Sequence, residues 1–484
     1  MELVKMDKKG LAITAAVAGV VSAALAVLRR RRRLARMPPG SFGLPLIGEM
    51  IEYIKNPATF AAERFEKYGG TFKTNVLLAP IVYVKPTPAN IKLVYSMRDL
   101  GWPEHWKDVL GRSALAMVND PLHKKIRTVS SRAFTAAQLD SYLAVYQELT
   151  QEHLQKWTKA EGLRDMRSAI KVYTFDLAQR IIMGERLSEA DTARCSELFD
   201  LTIKGFESML PYHFPGSFWS KTQRARQDLV KIYQEVIDRR RDMKNCGSLQ
   251  GPSCMIDMVM AADGKDGGEP TDVELQDFCL NMIFAGHDTT LAIVQGMLHY
   301  LKSIPGVEAQ LREEVDAVVD SNKPITRQLF QSLPKCKAFM MEVLRIVPPV
   351  GAIIRMASTD MKVDGYHVPA GMKVALQSDS VPQYFFGAAD ASEFKLSHHM
   401  DNEGNFVDRT YEKASFSSFG GGSRMCIGYK FAQDELMVFL ITLLQGFDFS
   451  VETTSQDLFP IRSWRVKACF ASRGYLGKVQ AQGA

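Results

Sequence analysis

The sequence predicts a mainly α-helical fold with small β-sheets. Helical periodicity dominates from about residue 130 to 345, and strand-like stretches cluster at 71–85, at 355–374 and near the C-terminus. Hydrophobic residues make up 46% of the 484 residues, which is enough for one large core. Because no long Pro-, Ser- or Gly-rich linker separates two cores, one large domain is expected. The longest irregular stretches, 244–270 and 397–411, are interpreted as surface loops.

The N-terminal segment has the pattern of a membrane anchor. Residues 10–28 carry no charge, and as a helix they would span roughly 28 Å, enough to cross a bilayer. An arginine run at 29–33 follows directly, and such a block stays on the cytoplasmic side of the membrane. Residues 1–36 are therefore expected to form a single transmembrane helix with a basic stop-transfer run. A cleaved signal peptide and a plastid-targeting sequence are the alternatives.

Charge and cysteine content give no support to a nucleic-acid partner, a disulfide framework or a structural zinc site. The net charge is +6, but the arginine run at 29–33 accounts for most of it, so the remainder does not indicate a nucleic-acid partner. The seven cysteines are odd in number and include no Cys-x-x-Cys pair. A disulfide framework or a structural zinc site is therefore not expected, and a reducing compartment fits.

Cys426 is the leading candidate for a metal ligand. It follows a glycine-rich turn and precedes a helical pattern that begins at Tyr429. Arg424 and the helix N-terminus are both expected to favour the thiolate. Glycine has no Cβ, so the backbone can come close to a flat ligand. This setting suits a single cysteine ligand to a large planar cofactor.

A long helix is predicted from Thr271 to about residue 302. Thr271 and Glu274 form a Thr-x-x-Glu capping box, and Ile304-Pro305-Gly306 ends the helix. Its length would be about 48 Å. Midway along it, Gly286 costs about 1 kcal/mol relative to alanine, and two threonines follow. Residues of such low helix propensity inside a capped helix indicate a functional site. The alternative is a polar patch in a buried helix.

The spacing around Cys426, Phe-x-x-Gly-x-Arg-x-Cys-x-Gly, resembles the haem-binding signature of the cytochrome P-450 superfamily. The matching positions are Phe419, Gly422, Arg424, Cys426 and Gly428. The resemblance implies the cytochrome P-450 fold and haem b (iron protoporphyrin IX) as the cofactor, with Cys426 as the iron ligand.

Other motifs occur in the order expected of this superfamily. Ala285-Gly286-His287-Asp288-Thr289-Thr290 resembles its oxygen-activation motif. The resemblance implies that Asp288 and Thr289 deliver protons during oxygen activation, with Thr290 as a further catalytic candidate. It also implies that Ala285 and Gly286 lie against the haem. The candidates for binding the haem propionates are His123, Arg127, Arg355 and Arg424.

Glu342 and Arg345 lie three residues apart in an apolar helical segment, so they share a helix face and are expected to be buried. They resemble the superfamily's Glu-x-x-Arg, which supports the haem-binding loop. The Phe-x-Pro-x-Arg element expected before the cysteine loop is altered here. His398 or His399 occupies the arginine position, depending on the register. Since histidine carries little charge at neutral pH, haem retention and loop rigidity are the properties at risk.

The resemblance extends from about Pro38 to the C-terminus, with residues 37–49 as a proline-rich hinge and 50–484 as the haem-thiolate catalytic domain. Local details resemble a clan of plant triterpenoid, taxoid and brassinosteroid oxidases and retinoic acid hydroxylases. This implies a monooxygenase that inserts one oxygen atom from O2 into a C–H bond of a lipophilic isoprenoid. Apolar candidates for the substrate pocket are Met117, Phe206, Phe284, Ala285, Val350, Ala352 and Ile353.

The implied partners are a separate NADPH–cytochrome reductase and the endoplasmic reticulum membrane, with the catalytic domain in the cytosol. A plastid membrane is the alternative location. Two alternative functions remain open: a haem-thiolate isomerase or dehydratase that does not use O2, and a non-catalytic haem-binding protein.

Overall fold

The computed structural model describes residues 36–473, except 46, 56–58, 77–78, 209–210, 249–251, 262–268, 379, 411–417 and 458–462. The predicted membrane segment at 10–28 and the arginine run at 29–33 lie outside the described residues. Within those residues, no helix combines the length and the apolar character needed to cross a membrane.

Helices make up most of the described chain, as predicted. In chain order they are α1 (Met50–Lys55), α2 (Phe60–Tyr68), α3 (Pro88–Ser96), α4 (Lys107–Leu110), α5 (Leu122–Ser130), α6 (Ala136–Thr158), α7 (Met166–Met183), α8 (Glu189–Ile203), α9 (Phe218–Asn245), α10 (Met255–Met260), α11 (Asp272–Ser303), α12 (Val307–Val318), α13 (Pro334–Ile346), α14 (Ser380–Phe386), α15 (Ala388–Ser392) and α16 (Tyr429–Gly446).

The strands form small sheets in the three regions that the sequence predicts, except for the two-residue β3, which lies within the stretch of predicted helices. In chain order they are β1 (Phe72–Val76), β2 (Ala79–Tyr83), β3 (Arg164–Asp165), β4 (Ala352–Met356), β5 (Met361–Val363), β6 (Tyr366–Val368), β7 (Lys373–Gln377), β8 (Phe447–Asp457) and β9 (Ser463–Ser472). One sheet has the order β1-β2-β7-β4, a second has the order β3-β9-β8, and β5 pairs with β6.

The chain divides into two compact units. The first contains the described residues up to Lys85 together with Arg355–Leu376. In it β1 and β2 are antiparallel, while β2 and β7 are parallel. The predicted hinge segment is held on β1, because the Lys73 N–H donates to Pro39 O and the Glu49 N–H donates to Asn75 O, each at 2.8 Å.

The second unit contains Pro86–Ile354 and the described residues from Gln377 onward. Helix α11 is buried along most of its length and packs on α7, where the ring of His287 meets Phe175 edge to face. It also contacts α16, because the Thr290 hydroxyl donates to Glu435 Oε2 at 3.4 Å. The helix that follows the Cys426 loop and the helix that carries residues 285–290 therefore belong to one core.

The predicted capping box of α11 is confirmed. Thr271 Oγ1 accepts the Glu274 N–H at 3.2 Å, and Glu274 Oε2 accepts the Thr271 N–H at 2.9 Å. The helix runs for 32 residues and ends at Ser303. Residues 285–290 therefore lie near its middle.

Parts of the two stretches expected to be surface loops are buried, so that prediction was wrong for them. Every residue of α10 is buried, and Asp257 of this helix forms a buried ion pair with Arg240 of α9. In the second stretch, His398 and His399 are buried in a short 3-10 turn. The apolar side chains of α10 join the hydrophobic core, with Asp257 paired to Arg240, and the two histidines are held inside by Glu342.

Candidate functional site

The Cys426 loop is held by its own backbone and by α3. The Cys426 N–H donates to Phe419 O at 2.9 Å. Gly422 has φ +69°, and a Cβ there would lie 2.0 Å from Tyr95 O; a Cβ on Gly421 would lie 2.3 Å from the Tyr95 ring. These two glycines are therefore needed for the close approach of the loop to α3. From the sequence, we expected glycine here to allow the close approach of a planar ligand.

The Cys426 side chain is exposed, yet protein surrounds it closely enough to affect its ionisation, so the thiol lies in a recess. Burial raises the pKa of the Cys426 thiol, while the Gly428 N–H and the Arg127 charge lower it. The helix N-terminus thus acts as predicted. The predicted cation does not, because Arg127 of α5, rather than Arg424, supplies the charge.

Arg424 contributes to the position of the loop. Its guanidinium donates to Arg98 O at 2.9 Å, to Val118 O at 2.7 Å and to Asn119 Oδ1 at 3.2 Å. Five N–H donors are available in a guanidinium, so these bonds leave donors that could also bind a carboxylate. Arg424 therefore fixes the Cys426 loop to residues 98–119 and remains a candidate for propionate binding.

Two further bases lie in the same region. His123 is buried, its Nδ1 lies 3.4 Å from Asp120 Oδ1, and burial, followed by the charges of Arg424 and Arg127, lowers its pKa to about 4. It is therefore neutral at pH 7 and would bind an anion only by hydrogen bonding. Arg127 provides a charge that is felt at both His123 and Cys426.

Arg355, the remaining predicted base, is buried and belongs to the first unit, whereas all the other candidate site residues belong to the second. Its predicted role in propionate binding stays a prediction.

The middle of α11 is partly exposed to solvent, whereas the helical turns on either side of it are buried. Ala285 is exposed, and a Cβ added to Gly286 would meet no heavy atom within 4 Å. Thr289 Oγ1 donates to Ala285 O at 2.8 Å, the backbone contact expected of a threonine that disturbs a helix. Residues 285, 286 and 289 therefore form a notch in the helix surface, defined here as the α11 notch.

The three catalytic candidates differ in their surroundings. Thr289 belongs to the α11 notch. The Asp288 side chain is one-fifth exposed, and burial raises the pKa of its carboxyl, against the lowering effect of Lys171 and Arg167. Thr290 is buried and donates to Glu435, whose pKa burial raises to about 8. Asp288 is thus a carboxyl that holds a proton more readily than usual, and Thr290 contacts the helix behind Cys426.

Glu342 is the centre of a buried polar network. Its Oε2 accepts Arg345 Nε and its Oε1 accepts Arg345 Nη2, both at 2.7 Å, and Oε1 also accepts the Lys395 N–H at 2.9 Å. Arg345 additionally donates to Ala391 O and Glu393 O. The Ser418 hydroxyl donates to Leu344 O on the same helix. The predicted buried pair therefore exists, and α13 is bonded to the start of the Cys426 loop.

Both histidines occupy the position that the sequence assigned to one of them. His398 Nδ1 lies 2.8 Å from Glu342 Oε1, and its Nε2 lies 3.1 Å from Asp390 Oδ2. His399 Nε2 lies 3.3 Å from Glu342 Oε2, and burial lowers the pKa of His399. Both histidines therefore contact Glu342, because these adjacent residues of one tight turn reach the two oxygens of its carboxylate.

We expect His398→Arg to increase haem retention and stability by about 1 kcal/mol, because a permanent charge would pair with Glu342 and Asp390. His399→Arg should lower both, because His399 is fully buried and a longer side chain would overpack its site. Thermal unfolding and the rate of haem transfer to an acceptor protein measure these effects. Faster haem loss in both variants than in the parent would contradict the expectation.

Two buried groups near the site were not singled out by the sequence argument. Glu435 follows Asp434 at the start of a long apolar run, and an acidic pair in that position was a signal that could have found it. His287 occupies the variable position of the motif at 285–290, and the resemblance implies no role for that position.

The residues around Cys426 fit a haem. An accessible cysteine thiol can supply the axial ligand, and metal binding removes the thiol proton whatever the effect of burial on its pKa. Arg127, His123 and Arg424 are suitable partners for two carboxylates. The α11 notch leaves room for a flat group and a small ligand.

Comparison with known proteins identifies the family. The Cytochrome P450 family model matches residues 38–471. The chain belongs to the cytochrome P450 family. Haem is therefore its cofactor, and the predicted cytochrome P-450 fold, mostly helical with small sheets, is confirmed. The chain is 26% identical to taxane 13-alpha-hydroxylase of Taxus cuspidata over 451 residues, covering 90% of each protein.

Other relatives of this P450 have a similar degree of identity. Abscisic acid 8'-hydroxylase 1 of Arabidopsis thaliana is 28% identical over 440 residues, covering 87% of each chain. Among solved structures, the retinoic acid bound cyanobacterial CYP120A1 matches with a TM-score of 0.77 and 25% identity. That match covers 90% of this chain and 99% of the other.

Proposed function

We propose that this P450 is a haem-thiolate monooxygenase that hydroxylates a lipophilic isoprenoid. The observation that carries the proposal is the combination of an accessible Cys426 thiol and the α11 notch with its Asp288–Thr289 pair. Cofactor-free binding modules have no need of either feature. When bound, haem supplies the oxidative chemistry that hydroxylates an unactivated C–H bond.

The chain's own residues hold the cofactor and control protons. Cys426 would ligate the iron, while Arg127, His123 and Arg424 would hold the propionates. Asp288 keeps a proton close to Thr289, whose hydroxyl lies in the notch and can pass a proton on by rotation. The buried network around Glu342 keeps the Cys426 loop in place.

The substrate class is supported by the site and by the relatives. Phe284 directly precedes the α11 notch, and its ring packs on Phe206 with centroids 5.5 Å apart. Phe206 in turn meets Trp106 at 5.0 Å. Such an aromatic surface favours an apolar ligand. The named relatives act on a taxane and on abscisic acid, and the similar structure contains retinoic acid; all three molecules are isoprenoids.

We expect the protein, supplied with NADPH and an NADPH–cytochrome reductase, to give an O2-dependent hydroxylated product from at least one sterol, triterpene, diterpene, carotenoid or retinoid. A substrate-induced shift of the haem spectrum identifies the compound to assay. Thr289→Val should lower product per NADPH on the order of tenfold or more, with hydrogen peroxide released instead, because the proton donor in the notch is lost.

Thr202→Val is the matched control for Thr289→Val. The Thr202 hydroxyl donates to Leu198 O at 2.8 Å, the same backbone bond that Thr289 makes, but it lies on α8. The Thr202→Val control should form as much product per NADPH as the parent. Turnover without O2 would replace the proposal with isomerase or dehydratase chemistry, and haem binding without any turnover would favour a non-catalytic haem protein.

We also propose that residues 1–36 anchor this P450 in the endoplasmic reticulum membrane, with the catalytic part in the cytosol. The uncharged run at 10–28 and the arginines at 29–33 support this location. Fractionation of cells that express a fluorescent fusion tests it, and recovery of the fusion with plastids would contradict it.

A further inference from the structure

His287 is a buried imidazole with a fixed place on α11. Its side chain is inaccessible to solvent, and its ring meets Phe175 and Phe199 edge to face, with centroids 5.4 and 5.7 Å away. Burial, together with the charges of nearby Lys171 and Arg167, lowers the pKa of His287 to about 3, against the raising effect of Asp200. The ring is therefore neutral at pH 7, with one N–H and one lone pair.

Thr174 of α7 is the hydrogen-bond partner of His287 Nδ1. Its hydroxyl lies 2.7 Å from Nδ1, 3.1 Å from Ile170 O and 3.3 Å from Lys171 O. When the single hydroxyl proton is directed at a backbone carbonyl, the Thr174 oxygen accepts a hydrogen bond from Nδ1. In that arrangement Nδ1 bears the hydrogen, and Nε2 carries the lone pair.

The Nε2 lone pair faces the carboxyl of Asp288. Nε2 is buried and has no hydrogen-bond partner among the described residues, while Asp288 Oδ1 lies 3.8 Å from it. A buried acceptor without a donor is costly. Burial raises the pKa of the Asp288 carboxyl, and a protonated carboxyl has the O–H donor that Nε2 lacks. A shift of about 1 Å would bring the two atoms to ordinary hydrogen-bond length.

Two cations and one anion surround this pair, and one of the cations is paired with the anion. Lys171 Nζ lies 2.6 and 2.5 Å from the two oxygens of Asp200 on α8. Lys171 and Arg167, both on α7, lower the pKa of Asp288, and Asp200 raises that of His287. No other charged group among the described residues is a cause of these shifts. The His287 contact is thus the group best placed to stabilise the protonated acid.

We propose that His287 is a positioning residue for Asp288: its Nε2 accepts the Asp288 O–H and so holds the protonated carboxyl ready beside the α11 notch. The proposal rests on the proposed function. The step involves a proton only. The Asp288 O–H bond breaks as the proton passes toward Thr289, and the carboxylate regains a proton from water, after which the bond to Nε2 forms again.

Infrared spectra of the ferric protein test the contact without turnover. The C=O stretch of the protonated Asp288 is the band that Asp288→Asn removes, and its loss with rising pH reports the ionisation of Asp288. His287→Asn keeps a donor at the Nδ1 position but removes the acceptor. We expect this variant to ionise at lower pH by about one unit, the effect of losing one buried hydrogen bond.

Two further variants separate the contact from simple packing. His287→Gln places an amide oxygen near the Nε2 position, so Asp288 should ionise at nearly the same pH as in the parent. Thr174→Val removes the group that fixes the tautomer and should lower the pH of ionisation as His287→Asn does. Nitrogen NMR should show the hydrogen on Nδ1 in the parent. An Nε2–H tautomer would overturn the proposal, and so would ionisation of Asp288 at the same pH in His287→Asn and His287→Gln.

Turnover distinguishes this proposal from the proposed function. In His287→Asn, the high-pH limb of product formed per NADPH should shift to lower pH by about the same one unit. An unchanged pH profile in an active enzyme would overturn the role of His287 and leave the monooxygenase function intact. Absence of oxygen-dependent product in the parent would overturn the function itself, while the infrared result would still decide whether the contact exists.

Discussion

Cys426→Ser should abolish product formation and eliminate the thiolate-type Soret band of the reduced, carbon monoxide-bound protein. Serine has no thiolate to donate electron density to the iron, and the Arg127 charge and the Gly428 N–H are too weak to ionise a hydroxyl at neutral pH. Haem loading of the parent should also release one proton from the thiol, and loading of the variant should not. Absorption spectroscopy and calorimetry in two buffers measure these outcomes.

Cys246→Ser provides the control for this substitution. Cys246 is also exposed, and it lies at the end of α9 outside the site. The control should retain the thiolate-type spectrum and the activity. A Cys426→Ser variant with an unaltered spectrum would show that another group ligates the iron, and the assignment of the whole loop would then be wrong.

Glu342→Gln should lower the free energy of unfolding by about 3–5 kcal/mol and accelerate haem loss. The substitution keeps the shape of the side chain but removes its charge. The Arg345 guanidinium, whose side chain is 1% exposed, would then be a buried charge without a counter-ion. Urea denaturation followed by both the Soret band and tryptophan fluorescence measures the effect.

The pH dependence gives this prediction a second test. Burial alone raises the pKa of Glu342, but the hydrogen bonds from Arg345, His398 and His399 outweigh it and hold the pKa well below 4.5. A carboxylate with a depressed pKa stabilises the fold fully above its unfolded pKa, and this contribution is lost as the pH falls. The difference in stability between parent and Glu342→Gln should therefore narrow below about pH 4.5.

Glu393→Gln is the control, because Glu393 is exposed and its carboxylate pairs with the partly exposed Lys395 rather than with a buried charge. Its effect should stay within about 0.5 kcal/mol. Equal destabilisation by the two substitutions would indicate that the buried network does not support the Cys426 loop.

The sequence by itself determined the capped helix and the buried Glu342–Arg345 pair, and it predicted Cys426 as the iron ligand. Each of these depends on local chemistry: the spacing of residues in one short segment, a capping box and a shared helix face. The fold class followed as well, because long periodic helices and short alternating strands are set mostly by the pattern of apolar residues.

Only the tertiary structure decided which distant groups act on these residues. It assigned the charge near Cys426 to Arg127 rather than Arg424, paired Glu342 with both His398 and His399, and placed Nε2 of His287 3.8 Å from Asp288 Oδ1. Hydrogen bonds and charges act over a few ångströms in space whatever the separation along the chain. A single sequence specifies the groups, and packing of the helices determines which of them meet.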